Sequence, residues 1–171
     1  MGYPSTVDTG QVPPSVIDMG LGADGSAASG VLAANTVYMF PFELLANVTI
    51  TGMRWRMFAT VTGTTDIGIY DSGENLLAHT GVQTNVASLI NSANFGSALT
   101  ISPGRYYMAL CPSNSTDTYG RVGTLGGSFS IARNYTGATA GTAGVLPATE
   151  GALSTSASMP VMEAIISGGA P

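Results

Sequence analysis

From Thr36 onward, apolar and polar residues alternate with a period of two, the pattern of strands that bury one face. Thr36 to Leu44 is rich in β-branched and aromatic residues, and Pro41 restricts it to a sheet edge or a bulge. Asn47 to Thr62 is the clearest strand. Val48 and Ile50 alternate with Thr49 and Thr51, and the phase then slips at Gly52. Beyond it Met53, Trp55, Met57, Ala59 and Val61 share one face, and Arg54, Arg56, Phe58, Thr60 and Thr62 share the other. A slip of phase at a glycine predicts a β-bulge.

Thr65 to Asp71 continues the pattern, and Asp71-Ser72-Gly73-Glu74-Asn75 carries hairpin-turn chemistry, with Leu76 to Thr80 as the return strand. Gly81 to Gly96 is ambiguous: Val86 to Ile90 reads equally as a short helix or an irregular strand. Leu99 to Ser102, a Pro103-Gly104 turn and Arg105 to Cys111 form a second hairpin. The run Tyr106 to Cys111 is apolar on both faces, which predicts a central strand. Pro112 to Asp117 is a polar loop, Tyr119 to Thr124 and Ser128 to Asn134 are short strands, and 135 to 157 is a long Gly/Ala/Thr-rich loop. A loop of that length is expected to be functional or packed on a partner. Met159 to Ser167 is the last strand. About eight or nine short strands without a long amphipathic helix predict an all-β fold, an antiparallel β-sandwich over residues 31–171. Residues 1–30, with Pro4, Pro13, Pro14 and many glycines, predict an extended N-terminal arm in which Val16-Ile17-Asp18-Met19 can add one strand.

Composition changes the picture in one respect. Only 9% of the chain is charged, and it contains no lysine; an ordinary domain is about 25% charged. Soluble monomers present mixed charged surfaces. A surface of Ser, Thr, Asn, Gly and Ala is easier to dry against a neighbour, because burying a hydroxyl that finds a partner costs far less than burying a charge. The composition therefore points to a subunit of something larger. A net charge of −5 with five scattered arginines argues against nucleic acid as a partner and against an anionic membrane surface. Apolar runs are broken well short of the roughly 20 residues of a membrane span, and Met1 to Gly10 lacks the pattern of a signal peptide.

Chemistry is sparse. One histidine, His79, and one cysteine, Cys111, leave no metal-ligand spacing. Cys111 lies in an apolar run and reads as a buried hydrophobe. Gly20 to Gly25 matches G-x-G-x-x-G as a string but has no following helix, so no nucleotide site and no cofactor are expected. Asp66, Asp71 and Glu74 fall near one hairpin; turn-capping explains them more simply than calcium or glycoside chemistry. His79 has no obvious acid within sequence reach. Trp55 is expected in the core, with Arg54 and Arg56 on the outer face. Tyr106, Tyr107 and Tyr119 flank the amide-rich loop 113–118, which makes Asn114, Asp117 and Tyr119 candidate contacts for a host-surface glycan.

The order Val37-Tyr38-Met39-Phe40-Pro41-Phe42, Val48-Thr49-Ile50-Thr51, Ile67-Gly68-Ile69-Tyr70-Asp71 and Gly104-Arg105-Tyr106-Tyr107-Met108-Ala109-Leu110 resembles small jelly-roll modules of tailed-bacteriophage virion proteins over residues 36–111. The resemblance implies a structural role in the virion and a homotrimer. Capsid decoration (cement) proteins and fibre tips are the two settings in which such modules occur, and no catalytic residue carries over. The expectation is a non-enzymatic decoration protein on the capsid exterior that binds the major capsid protein, with Pro13, Pro14, Val16, Ile17 and Met19 of the arm as candidate contacts. A receptor- or carbohydrate-binding module of a fibre or spike is the alternative.

Overall fold

The structure is a computed structural model that describes residues 16–18, 28–88, 90–122, 135–137, 139–156 and 159–167. Among these there is no helix, and every ladder is antiparallel. The large sheet runs in the order β12 (Ser154–Thr155), β11 (Tyr135–Thr136), β3 (Tyr38–Leu44), β9 (Gly104–Pro112), β5 (Thr64–Asp71), β6 (Leu76–His79), with β7 (Gln83–Thr84) also on β5. A second sheet runs β1 (Val16–Asp18), β14 (Met162–Ile166), β4 (Val48–Arg56), β8 (Ile90–Ile101). A third, small sheet joins β13 (Met159–Pro160), β10 (Thr118–Val122) and β2 (Ala28–Val31). The chain is an all-β sandwich.

The main core lies between the first two sheets. Ile50, Met53, Trp55, Phe95, Ile101, Met162 and Ala164 from the smaller sheet meet Tyr38, Leu44, Ile67, Ile69, Met108 and Leu110 from the larger. Each large aliphatic buried here is worth about 1.5–3 kcal/mol. Tyr106 to Cys111 is indeed central: β9 lies between β3 and β5, with Met108 and Leu110 in this core and Ala109 and Cys111 in a second one. That second core sits on the opposite face of the large sheet, where Val37, Met39, Tyr70, Ala109 and Cys111 are covered by Leu146 and flanked by Leu153.

The long loop expected at 135–157 is therefore packed, and it packs on its own domain. It is sewn down by backbone bonds from Gly137 N to Val37 O (3.0 Å), Gly141 N to Asn35 O (2.8 Å), Leu76 N to Ala148 O (2.9 Å) and Glu150 N to Glu74 O (2.9 Å). At Gly141 a side chain would collide with the Cys111 sulfur and the Val145 carbonyl, so glycine there permits the close approach.

The slip at Gly52 is a true irregularity. Against β14, Gly52 faces Ile165 and Ile50 faces Ile166, so Thr51 is the extra residue. Against β8, the partner jumps from Leu99 opposite Ile50 to Asn94 opposite Gly52. A Cβ at Gly52 would strike the Ala93 carbonyl oxygen. Pro41 is tolerated for the expected reason: β11 pairs only with Tyr38 and Met39, so Pro41 lies beyond the reach of that neighbour.

Two expectations need correction. The ambiguous stretch 81–96 is neither a helix nor a short strand at its end, because β8 begins at Ile90 and runs unbroken to Ile101. The segment Val16–Asp18, expected to reach a partner as part of an arm, is an edge strand on the chain's own sheet: Val16 faces Ile165 and Ile17 faces Ala164. β2 likewise pairs with β10. The open edge of β14 satisfies the backbone of β1 within the same chain. Pro13, Pro14 and Met19, and the strand expected at 128–134, lie outside the described residues.

Candidate interaction surface

Four polar constellations compete for a functional role, and their geometry separates them. The first is the corner where the loop 113–117 meets the start of β5. Asp117 is 1% exposed. Its carboxylate accepts from Thr62 N (2.7 Å), Thr62 Oγ1 (3.2 Å), Gly63 N (3.1 Å), Asn85 Nδ2 (2.9 Å) and Asn114 Nδ2 (3.0 Å). Burial alone would raise its pKa, yet the bonds from Thr62, Asn85, Asn114 and Gly63 hold it below the ordinary carboxylate value. Asn114 Oδ1 in turn accepts from Thr116 N and Asp117 N, closing the loop on itself. Asn85 bridges inward: its Nδ2 also reaches the Tyr119 hydroxyl (3.2 Å), and its Oδ1 accepts from the Trp55 indole (3.0 Å). The Tyr119 hydroxyl shares a further bond with Thr65 Oγ1 (2.7 Å).

This arrangement corrects the glycan expectation. Tyr119 is 1% exposed, a core residue whose phenol is pushed up to about 12 by burial. Asp117 is consumed by internal donors, and both polar atoms of the Asn114 side chain are engaged within the chain. None of the three offers a sugar a free polar group with an exposed ring beside it. They are together in space, as expected, but as a structural network.

The second constellation joins His79 Nδ1 to Asp66 Oδ2 at 2.7 Å across the β5–β6 hairpin. Asp66, fully buried, is thus the acid that the sequence reading did not find for His79. The same oxygen accepts from Leu146 N (3.0 Å), so the pair pins the covering segment to the sheet. Asp66 is remote in role from Asp71, which caps its own turn by accepting from Gly73 N and Asn75 N, both at 2.9 Å. The backbone bond from Asn75, above all, holds the Asp71 carboxyl below its usual value.

The third is Glu150 on the covering segment. It is 6% exposed, its Oε2 accepts from Thr139 N at 3.2 Å, and among the described residues Oε1 has no hydrogen-bond partner. Burial pushes its pKa up to about 7. Cys111 beneath the same cover is also pushed up, to about 12, chiefly by burial, so its thiol is inert at neutral pH. Among the described residues no three His, Cys, Asp or Glu side chains gather as a metal site.

The fourth is a surface, and no motif announces it. Between Glu74 and Arg105 the chain has no Asp, Glu, Lys or Arg, its longest charge-free run. The fold lays that run along one flank of the sandwich. β6 ends the large sheet, β8 ends the smaller one, and the two edges are neighbours. Leu77 (38%), Val82 (48%), Val86 (51%) and Ile90 (61%) stand exposed on these elements and the turns between them. Asn91 clamps the turn that presents the last two, accepting from Val86 N (2.7 Å) and donating to Val86 O (3.0 Å). Natural edges are usually guarded by charge, proline or brevity; β8 is long and uncharged. Arg54 and Arg56 stand one strand inward, opposite Ser92 and Ile90 of β8; Arg54 also faces Glu163 on its other side, and Arg56 lies over the Phe58 ring at 5.2 Å. The spacing of charges along the chain was the signal that could have exposed this flank.

Compared with protein-family models, with curated proteins and with solved structures, the chain matches none.

Proposed function

We propose that the chain is a structural subunit of a tailed-phage virion, a decoration protein on the capsid exterior that is held by its neighbours and turns over no substrate. The single observation that carries the reading is the charge-free flank 75–104, with two adjacent open edges and exposed Leu77, Val82, Val86 and Ile90. Such a flank binds by strand addition and apolar burial, both available without ion pairing. The buried carboxylates Asp66, Asp117 and Glu150 belong to internal latches rather than to a cleft. The motif order of residues 36–111 supplies the phage assignment, with the major capsid protein as the partner.

The test is co-sedimentation of the purified protein with purified heads of the phage that encodes it. Saturable binding in fixed ratio to the capsid protein is expected. Heads that sediment without it would overturn the assignment, and so would enrichment on fibres with glycan-dependent binding.

A further inference from the structure

We propose that the outer edge of β8 pairs, antiparallel, with the β8 of a second copy of this chain, through its regular half Ile90–Asn94. This rests on reading the 75–104 flank as an assembly surface and names the neighbour across it. Three observations select a second copy. First, β8 spans twelve residues, while the other strands that end a sheet are short: β1 has three residues, β2 and β6 have four, and β12 and β13 have two. Among the described strands that end a sheet, β8 is the longest. Second, the chain carries a net charge of −5, so copies repel unless they meet where charge is absent, and the charge-free run covers the whole of β8. Third, an antiparallel ladder is its own mate about a twofold axis. Ile90 to Asn94 keeps an unbroken register with Arg56 to Gly52, whereas the register shifts beyond Asn94. The regular half therefore carries the ladder, and Val86 and Ile90, held by the Asn91 clamp, supply apolar area at its end.

Ser92 is exposed at the middle of that half. A twofold ladder there brings the two copies of Ser92 close together, so S92K sets two lysines against each other. An isologous contact produces a dimer, in place of the homotrimer that the motif resemblance implies.

Sedimentation equilibrium on the purified full chain tests this, with S92K and, as a control, T155K on the opposite edge strand β12. Wild type and T155K are expected to show a reversible monomer–dimer equilibrium. S92K is expected to raise the dissociation constant roughly tenfold or more, with an unchanged circular dichroism spectrum. A wild type that stays monomeric at roughly 100 µM overturns the inference, since that limits any contact to weaker than about −5 kcal/mol. A trimer, or a dimer indifferent to S92K in a folded variant, overturns it as well. A monomer that still co-sediments with phage heads would sink this inference and leave the decoration reading standing; a dimer that ignores heads would do the reverse.

Discussion

The corner around Asp117 and the flank formed by β6 to β8 both carry Ser, Thr and Asn without lysine or arginine, and they use those groups in opposite ways. At the corner, a buried carboxylate gathers donors from Thr62, Gly63, Asn85 and Asn114, and Asn85 carries the network on to Tyr119 and Trp55. On the flank, Ser92, Ser97 and Thr100 of β8 are exposed, and no described strand pairs with its outer edge. Polar residues closed upon one another give rigidity and lock a fold. Polar residues left open, without charge, keep a surface soluble yet easy to dry. One chain thus contains a closed polar site and an open one, and the open one is where we propose that a neighbour fits.

The largest expected effect breaks the corner. Asp117→Ala removes the acceptor of five donor groups at a partly buried corner, the Asn85 amide being the buried one, so unfolding in urea should show a loss of about 3–5 kcal/mol. A loss under about 1 kcal/mol would mean that water replaces the carboxylate and that the corner is no more closed than the flank.

Acidity sharpens the contrast, because the covering segment holds a carboxylate with few donors. Glu150 has its folded pKa raised from 4.5 to about 7 by burial. An acid that is harder to ionise when folded stabilises the fold at low pH. Below about pH 4.5 it is protonated in both states and costs nothing; between there and pH 7 the unfolded chain releases the proton first, and stability falls. The full penalty, present above pH 7, is about 3 kcal/mol. Urea midpoints of wild type and E150Q should therefore diverge in favour of E150Q as pH rises from about 4.5 to 7. Asp117 works with the opposite sign: its lowered pKa gives stability at neutral pH that is lost as pH falls below the ordinary carboxylate value. Parallel pH profiles for wild type and E150Q would contradict the buried, donor-poor setting of Glu150.

A smaller effect concerns the cover itself. Cys111, buried under the segment 139–146 with its thiol pushed up to about 12, should resist a disulfide reagent at pH 8 in the folded protein and react fully in urea. Prompt native labelling would show that the cover opens. The smallest effect is on the flank: Ser92→Ala and Ser97→Ala should each change unfolding free energy by no more than about 0.5 kcal/mol. Larger losses would place these side chains in a network like that of the corner.

Strands with a clear alternation were legible from sequence, since Met53, Trp55, Ile67, Ile69, Met108 and Leu110 each obey the period that buries them. So were the Gly52 irregularity and the Asp71 turn, because both follow from local backbone chemistry. What escaped depends on pairing across the fold. Asn91 to Asn94 has no apolar rhythm of its own and becomes a strand because β4 offers it an edge. Asp66 finds His79 only when the hairpin closes, and Tyr119 looks like a binding aromatic until its phenol meets Thr65 inside. The covering segment has too few large apolar residues to register as core, yet Leu146, flanked by Tyr135 and Leu153, covers the second face of the central strands. The flank was written as an absence of charge, which pattern-based reading of strands does not weigh.

Amide hydrogen exchange followed across protein concentration tests the open flank most directly. The account predicts that amides of Ile90–Asn94 exchange more slowly as concentration rises, while those of residues 62–65 and 113–119 at the corner keep one rate throughout. Exchange along β8 that is independent of concentration, in wild type and S92K alike, would contradict it.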